Sequence, residues 1–393
     1  MCFKALNPTS RSNMRPRLFT PGPTQIPERV INEMSLPMQH HRSPEFKALF
    51  AKVSANLKRY FKTQGDVLTL TSSGSGAMEG AVLNLLNRDD KVICVEGGKF
   101  GQRWGEICEI YSLDVVHKEV EWGHAIDPEE MRDLLRENAD AKAVFLTHSE
   151  TSTGVAFDLE NIARVIHEES DALVIVDGIT AVGVLPFFKD DWGIDVVVAG
   201  SQKGAMVPPG LAFVALNDRA WEAAEKSKLP KFYLDFLKAR ESLHADTTPF
   251  TPASTLLIGL NTALNMIFED GLEVFWQKYA RLAHATRAGA GAVGLELFAD
   301  KPSNALTAIR IPATIDGAAF VKCLREKYNI TVAGGQAQLS GKIFRVAHMG
   351  YYDHLDMVAF ASAMELALRD FNWNFELGKA VATVQRAYAT AEL

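Results

Sequence analysis

The run Val196-Val197-Val198-Ala199-Gly200 leads into Ser201-Gln202-Lys203-Gly204, a small polar turn carrying one lysine, and Pro208-Pro209-Gly210 follows soon after. An apolar stretch this short, closed by glycine and proline, predicts an interior strand. A lysine at the carboxyl end of such a strand either reaches water or stays within the fold. Within the fold, desolvation disfavours the ammonium form, lowers the pKa and leaves an amine able to act as nucleophile or base. Asp177, at the end of the apolar run 172–176, bears on that choice. A carboxylate at a buried strand end needs a charged or hydrogen-bonded partner. A protonated heteroaromatic nitrogen would supply one; a loop cap or a ribose hydroxyl would serve as well.

Other chemistry-bearing stretches share this placement. Thr71-Ser72-Ser73-Gly74-Ser75-Gly76-Ala77-Met78-Glu79-Gly80 joins a predicted strand to a predicted helix. Its glycines permit close backbone approach, and a helix start offers unpaired N–H groups to a phosphate. The glycine spacing misses the dinucleotide fingerprint, so nicotinamide binding is disfavoured. Thr147 to Gly154 is a hydroxyl-rich loop after another strand end, with Thr151 at its centre. Such hydroxyls donate to a phenolate or phosphate, or cap the next helix. Phe100 stands among glycines and is exposed unless it stacks on something. Arg345 alternates with apolar neighbours in Ile343-Phe344-Arg345-Val346-Ala347, where it either pairs with a protein carboxylate or grips a substrate carboxylate. A phosphate cup, a stacking ring, a hydroxyl donor, an acid for a ring nitrogen, an amine and a carboxylate clamp together describe a pyridoxal 5′-phosphate site for an amino-acid substrate.

These residues need a scaffold that gathers strand ends on one edge. Strands are predicted at 67–71, 91–95, 113–117, 141–147, 172–176, 195–199 and 211–216. Helices alternate with them at 77–86, 102–111, 128–137 and 159–169, after one at 45–61. That alternation predicts an α/β fold, with a mostly parallel sheet sandwiched by helices. In such sheets ligands bind beyond the carboxyl ends of the strands. From about 254 to 288 the pattern is helical, with a break near Asp270-Gly271, and then strands at 305–311, 330–332 and 343–347 flank a helix at 317–327. A last helix runs from about 355 to 371, and the tail from 373 is helical or frayed. The expected organisation is an N-terminal arm (1–20), a large domain (21–270) and a smaller C-terminal α+β domain (271–393).

Composition narrows the class. The chain has 393 residues, 47% of them apolar, and a net charge of −7, so no basic field invites nucleic acid or an anionic membrane. Four cysteines in a chain this long, with no metal-ligand spacing, suggest a reduced, cytoplasmic protein. The turn Gln39-His40-His41-Arg42-Ser43-Pro44 is either a helix cap or an anion-recognition loop serving a neighbouring subunit.

The chain from about 18 to 371 resembles the class V aminotransferases of fold-type I pyridoxal-phosphate enzymes, especially the alanine–glyoxylate and serine–pyruvate types. The resemblance rests on Pro21-Gly22-Pro23, Gly74-Ser75-Gly76, Gly101-Gln102-Arg103, Ser152-Thr153-Gly154, Val176-Asp177, Ser201-Gln202-Lys203 and Phe344-Arg345-Val346 in that order. It implies that Lys203 bonds the cofactor and that Asp177 holds its ring nitrogen protonated. It implies that Ser75, Gly76 and Ala77 line the phosphate beside Gln202, and that Thr248 reaches it from a second subunit. Relatives often carry a polar residue where Ala77 stands, so only its backbone could serve. Phe100 takes the place of a stacking tryptophan, and Thr151 that of a serine near the phenolate oxygen. Arg345 would bind the substrate α-carboxylate, and the backbone at Gly22 would line the pocket. The implied activity moves an amino group from alanine or serine to glyoxylate or pyruvate, in a homodimer. A phosphonate or phospho-amino-acid substrate is the alternative left open by His41 and Arg42. A cysteine desulfurase is disfavoured because Cys323 reads as helical and Cys94 as part of a strand.

Overall fold

The computed structural model describes residues 14–391. Seven strands form one sheet: β1 (Asp66–Ser72), β2 (Lys91–Glu96), β3 (Asp114–Glu119), β4 (Ala143–Thr147), β5 (Leu173–Asp177), β6 (Val196–Gly200) and β7 (Gly210–Leu216). Their order across the sheet is β1-β7-β6-β5-β4-β2-β3. All pairs are parallel except those of β7, which runs antiparallel to both β1 and β6. The three central strands β4, β5 and β6 are buried along their whole length, as expected for a sheet covered by helices on both faces. The edge strand β3 instead alternates exposed and half-buried residues and carries Asp114, His117, Lys118 and Glu119, charges that discourage pairing with another chain. This is the expected α/β architecture.

Two helices begin three residues earlier than periodicity suggests, at Gly74–Leu85 and Lys99–Ile110. Their first turns carry glycine, Gly74 and Gly76 in one and Gly101 in the other, which weakens the helical pattern. Glycine is required there because the turns pack closely, one on strand β2 and the other on the loop after β5. A Cβ at Gly101 would stand 2.6 Å from the Val95 carbonyl oxygen, and one at Gly74 would collide with Ile179.

Beyond Ser254 two long helices, Ser254–Asp270 and Leu272–Ala292, meet at Gly271, whose φ of +98° suits glycine. A second, antiparallel sheet orders its strands as Leu306–Arg310, Ile343–Ala347, Ala333–Gly334. The short strand Ile330–Thr331 lies outside that sheet. It pairs with Arg17–Leu18, and the Ala347 N–H donates to the Phe19 carbonyl at 2.8 Å. Part of the expected arm is therefore clipped to the C-terminal half, with Phe19 fully buried and stacked on Tyr352 at 5.4 Å. Residues 1–13 of that arm lie outside the described residues. The tail forms a helix, Lys379–Thr390. No helix among the described residues is long and apolar enough to cross a membrane.

Candidate active site

Parallel pairing brings the carboxyl ends of the central strands to one edge: Thr147 lies opposite Asp177, and Asp177 opposite Val198. The β6 strand then turns through Ser201, whose hydroxyl donates to the Pro208 carbonyl at 2.7 Å and accepts from the Leu211 N–H at 3.2 Å. These bonds fix the turn that presents Lys203. The Lys203 Nζ donates to the Pro21 carbonyl, and the Thr24 hydroxyl donates to the Lys203 carbonyl at 3.2 Å. A Cβ at Gly22 would collide with that Nζ, so the glycine makes room for the amine. Loss of hydration lowers the Lys203 pKa to about 8; Asp177 opposes the shift, and the charges of Arg345 and Arg103 add to it.

Asp177 is buried at the tip of β5. Desolvation raises its pKa to about 7, with the Ile179 N–H at 2.8 Å opposing, Glu150 adding to the rise, and Arg103 and Lys203 opposing. A carboxyl in that state becomes fully ionised when a cation is set against it. A protonated ring nitrogen is such a cation.

The expected phosphate cup forms the first turn of the helix Gly74–Leu85. A Cβ on Gly76 would collide with the Ser72 hydroxyl, so the turn is closed tightly. Ala77 is fully buried and offers no polar side-chain atom. Gln202 has a buried Oε1 without a hydrogen-bond partner. Ser75 receives a hydrogen bond from Arg103 Nη1 at 3.0 Å. Thr248 is the outlier: its hydroxyl donates to the Phe250 carbonyl at 2.7 Å, beside Tyr233 stacked on Phe250 at 5.1 Å. No hydrogen bond joins it to the Lys203 group among the described residues.

Arg345 finds backbone carbonyls, and no carboxylate, as its hydrogen-bond partners among the described residues. It is buried, its Nε and Nη2 donate to the Gly334 carbonyl at 3.1 and 2.7 Å, and its Nη1 donates to the Thr151 carbonyl at 2.7 Å. None of the ion pairs among the described residues includes it. Burial pulls its pKa down to about 10, with Glu150 opposing. A desolvated guanidinium held by neutral carbonyls retains its affinity for a carboxylate.

Glu150 has no role in the expectations above, yet it organises this corner. It is fully buried; Oε2 accepts from the Phe100 and Gly101 N–H groups at 3.0 and 2.9 Å, and Oε1 accepts from the Ser152 N–H at 3.0 Å and hydroxyl at 2.5 Å. It thereby caps the helix carrying Phe100 and fixes the loop carrying Thr151. The same loop meets the C-terminal half, where Ser149 and Ser303 hydroxyls lie 2.8 Å apart. The signal for Glu150 was its place in the hydroxyl loop. For Arg103 it was the three-residue step from Phe100, which shares one helix face. In the turn before the helix Pro44–Phe61, Ser43 accepts from the Phe46 N–H at 3.2 Å, and Arg42 donates to the Thr247 hydroxyl at 2.6 Å.

Cys94 lies in β2 and Cys323 in the helix Gly317–Tyr328. No group of three or more His, Cys, Asp or Glu side chains able to hold a metal occurs among the described residues.

A family model described as aminotransferase class V matches residues 17–352. A protein of Synechococcus sp. named as the small subunit of a soluble hydrogenase is 42% identical, over 95% of this chain and 98% of its own length. The serine–glyoxylate aminotransferase of Methylorubrum extorquens is 36% identical, over 94% of each chain. Among solved structures, ureidoglycine–glyoxylate aminotransferase from Bacillus subtilis superimposes with a TM-score of 0.92 at 28% identity, over 96% of this chain and 99% of that one. With this fold, a family model covering most of the chain and relatives of this similarity, the chain belongs to the class V aminotransferases, enzymes that work with pyridoxal phosphate.

Proposed function

We propose that this enzyme transfers an amino group from serine or alanine to glyoxylate or pyruvate, with Lys203, Asp177 and Arg345 as its working centre. The observation that carries the reading is the Lys203 amine bonded to the Pro21 carbonyl beyond the carboxyl ends of the central strands, with Arg345 bonded to carbonyls and to no carboxylate among the described residues. The M. extorquens relative and the B. subtilis structure are both named for glyoxylate, while their donors differ, which favours a small 2-oxo acid as acceptor.

The residues fit pyridoxal phosphate: a glycine clears the amine, Gln202 keeps an unpartnered buried oxygen, and Ser75 stands at a helix start. When bound, the cofactor supplies an aldehyde for amine exchange and a protonated ring that withdraws electrons from the substrate. Lys203 would be the side chain that bonds the cofactor, and its amine, when free, would take the substrate's α-proton and deliver it to the carbon of the former aldehyde. Asp177 holds the ring-nitrogen proton. Arg345 grips the substrate α-carboxylate, with the backbone at Gly22 lining the pocket. Ser75, Gly76, Ala77 and Gln202 would hold the phosphate, joined by Thr248 of a second copy in a homodimer. Phe100 would offer its ring to the cofactor ring, and the Thr151 hydroxyl would serve its phenolate oxygen. Proton transfer by a positioned amine contributes about 10²–10⁴-fold. The large unit ends near 270, where Gly271 separates the two long helices. Four cysteines in 393 residues favour a reducing, cytoplasmic setting.

Borohydride reduction followed by peptide mapping should place the cofactor on Lys203, and Lys203→Ala should fold but lose all turnover. A label on another lysine, or an active variant, would falsify the assignment. A panel of amino donors against glyoxylate and pyruvate should show serine or alanine fastest; preference for a phosphonate donor would overturn the substrate reading.

A further inference from the structure

The residues assigned to the cofactor phosphate are Ser75, Gly76, Ala77, Gln202 and Thr248, and none is a cation. A phosphate monoester carries about −1.5 to −2 charges at neutral pH. A helix start offers the equivalent of roughly half a positive charge. Most of the negative charge is therefore left without a counterion, and the alanine at position 77 makes the cup poorer still.

Arg103 stands where the missing charge is needed. It lies on the helix Lys99–Ile110, one turn beyond Phe100, and its Nη1 donates to the Ser75 hydroxyl at 3.0 Å. Its guanidinium carbon rests 4.8 Å from the centre of the Phe100 ring. None of the ion pairs among the described residues includes it. Its charge is felt by both Asp177 and Lys203, which places it within the site. We propose that Arg103 is the phosphate-neutralising residue of this enzyme, anchored by Ser75 and braced on Phe100. This rests on the pyridoxal-phosphate reading above. It also gives the two neighbouring residues linked tasks: Phe100 meets the cofactor ring and steadies the guanidinium, while Ser75 fixes the guanidinium's direction.

The test compares two probes that differ only in the phosphate. Cofactor-free full-length protein is titrated with pyridoxal phosphate and with pyridoxal, for the wild type, Arg103→Gln and Arg103→Lys. Arg103→Gln should weaken pyridoxal phosphate by about 10–100-fold, the range for losing a charged hydrogen bond, and leave pyridoxal unchanged. Arg103→Lys should recover part of the loss. In the loaded wild type the phosphorus-31 resonance should stay constant from pH 6 to 8 (roughly the range in which a free phosphate titrates), and in Arg103→Gln it should titrate. Equal losses for both probes would reduce Arg103 to a packing residue, and no loss for either would remove it from the site; each overturns the proposal. If Arg103→Gln does not fold, the same pair of titrations on Arg103→Lys decides, with an unchanged ratio of affinities counting against. Wild-type protein that takes up neither probe, or labels a lysine other than Lys203, overturns the underlying reading as well, and so is told apart from failure of Arg103 alone.

Discussion

At the scale of single residues, proton affinities are set by what surrounds them. The Lys203 pKa stands near 8 because burial strips its ammonium of water faster than Asp177 compensates. Only the neutral amine attacks an aldehyde, and its fraction rises with pH. Cofactor uptake by the cofactor-free enzyme should therefore accelerate with a midpoint near pH 8, followed by absorbance in a stopped-flow instrument. A midpoint near the ordinary lysine value would show that the amine is solvated. Arg345 makes a second case. Its three hydrogen bonds end on the neutral carbonyls of Gly334 and Thr151, so a carboxylate entering the site would meet a guanidinium not already bonded to a carboxylate among the described residues. Arg345→Ala should cost about 2–5 kcal/mol of amino-acid affinity, read as a raised KM in steady-state kinetics. An unchanged KM would take Arg345 out of the clamp.

At the scale of elements, the site depends on segments that contribute no reactive group. The stretch from Phe19 to Thr24 is held at one end by pairing with Thr331 and Ala347, and at the other by bonds to Gln202 and Lys203. Gly22 has φ of +133°, which side chains rarely adopt, and its missing Cβ leaves the space that Lys203 occupies. Gly22→Ala should leave far-UV circular dichroism unchanged while weakening cofactor uptake by roughly 10-fold or more, the scale of a strained backbone position. Normal uptake would show that this segment can move aside. Residue pattern made the strands legible, because runs such as Leu173–Asp177 and Val196–Gly200 are buried throughout. It did not reveal that Ile330–Thr331 leaves its own neighbourhood to pair with Arg17–Leu18. A two-residue strand carries no period, and its partner is more than 300 positions away in the chain.

At the scale of the whole molecule, one chain leaves Thr248 apart from Lys203 and exposes apolar side chains around it. Phe232 is 71% exposed and Tyr233 48%. On the proposed function, a second copy covering that face would bring Thr248 to the phosphate cup and remove the exposed rings from water. Sedimentation should show a dimer, and Phe232→Asp should shift it towards monomer with loss of bound cofactor. A monomer that retains its cofactor would remove Thr248 from the proposed site.

The sequence alone carried the alternation of strand and helix, the lysine and aspartate at strand ends, and the glycine-rich helix start, because each is local and follows from burial period or backbone freedom. Tertiary structure alone decided that Arg345 would bond to the carbonyls of Gly334 and Thr151, that Glu150 would cap the Phe100 helix, and that Arg103 would turn towards Ser75. Those outcomes depend on which distant backbone carbonyls, N–H groups and hydroxyls come within hydrogen-bond reach. That is settled only when the sheet edge, the helix start and the C-terminal strands are packed together.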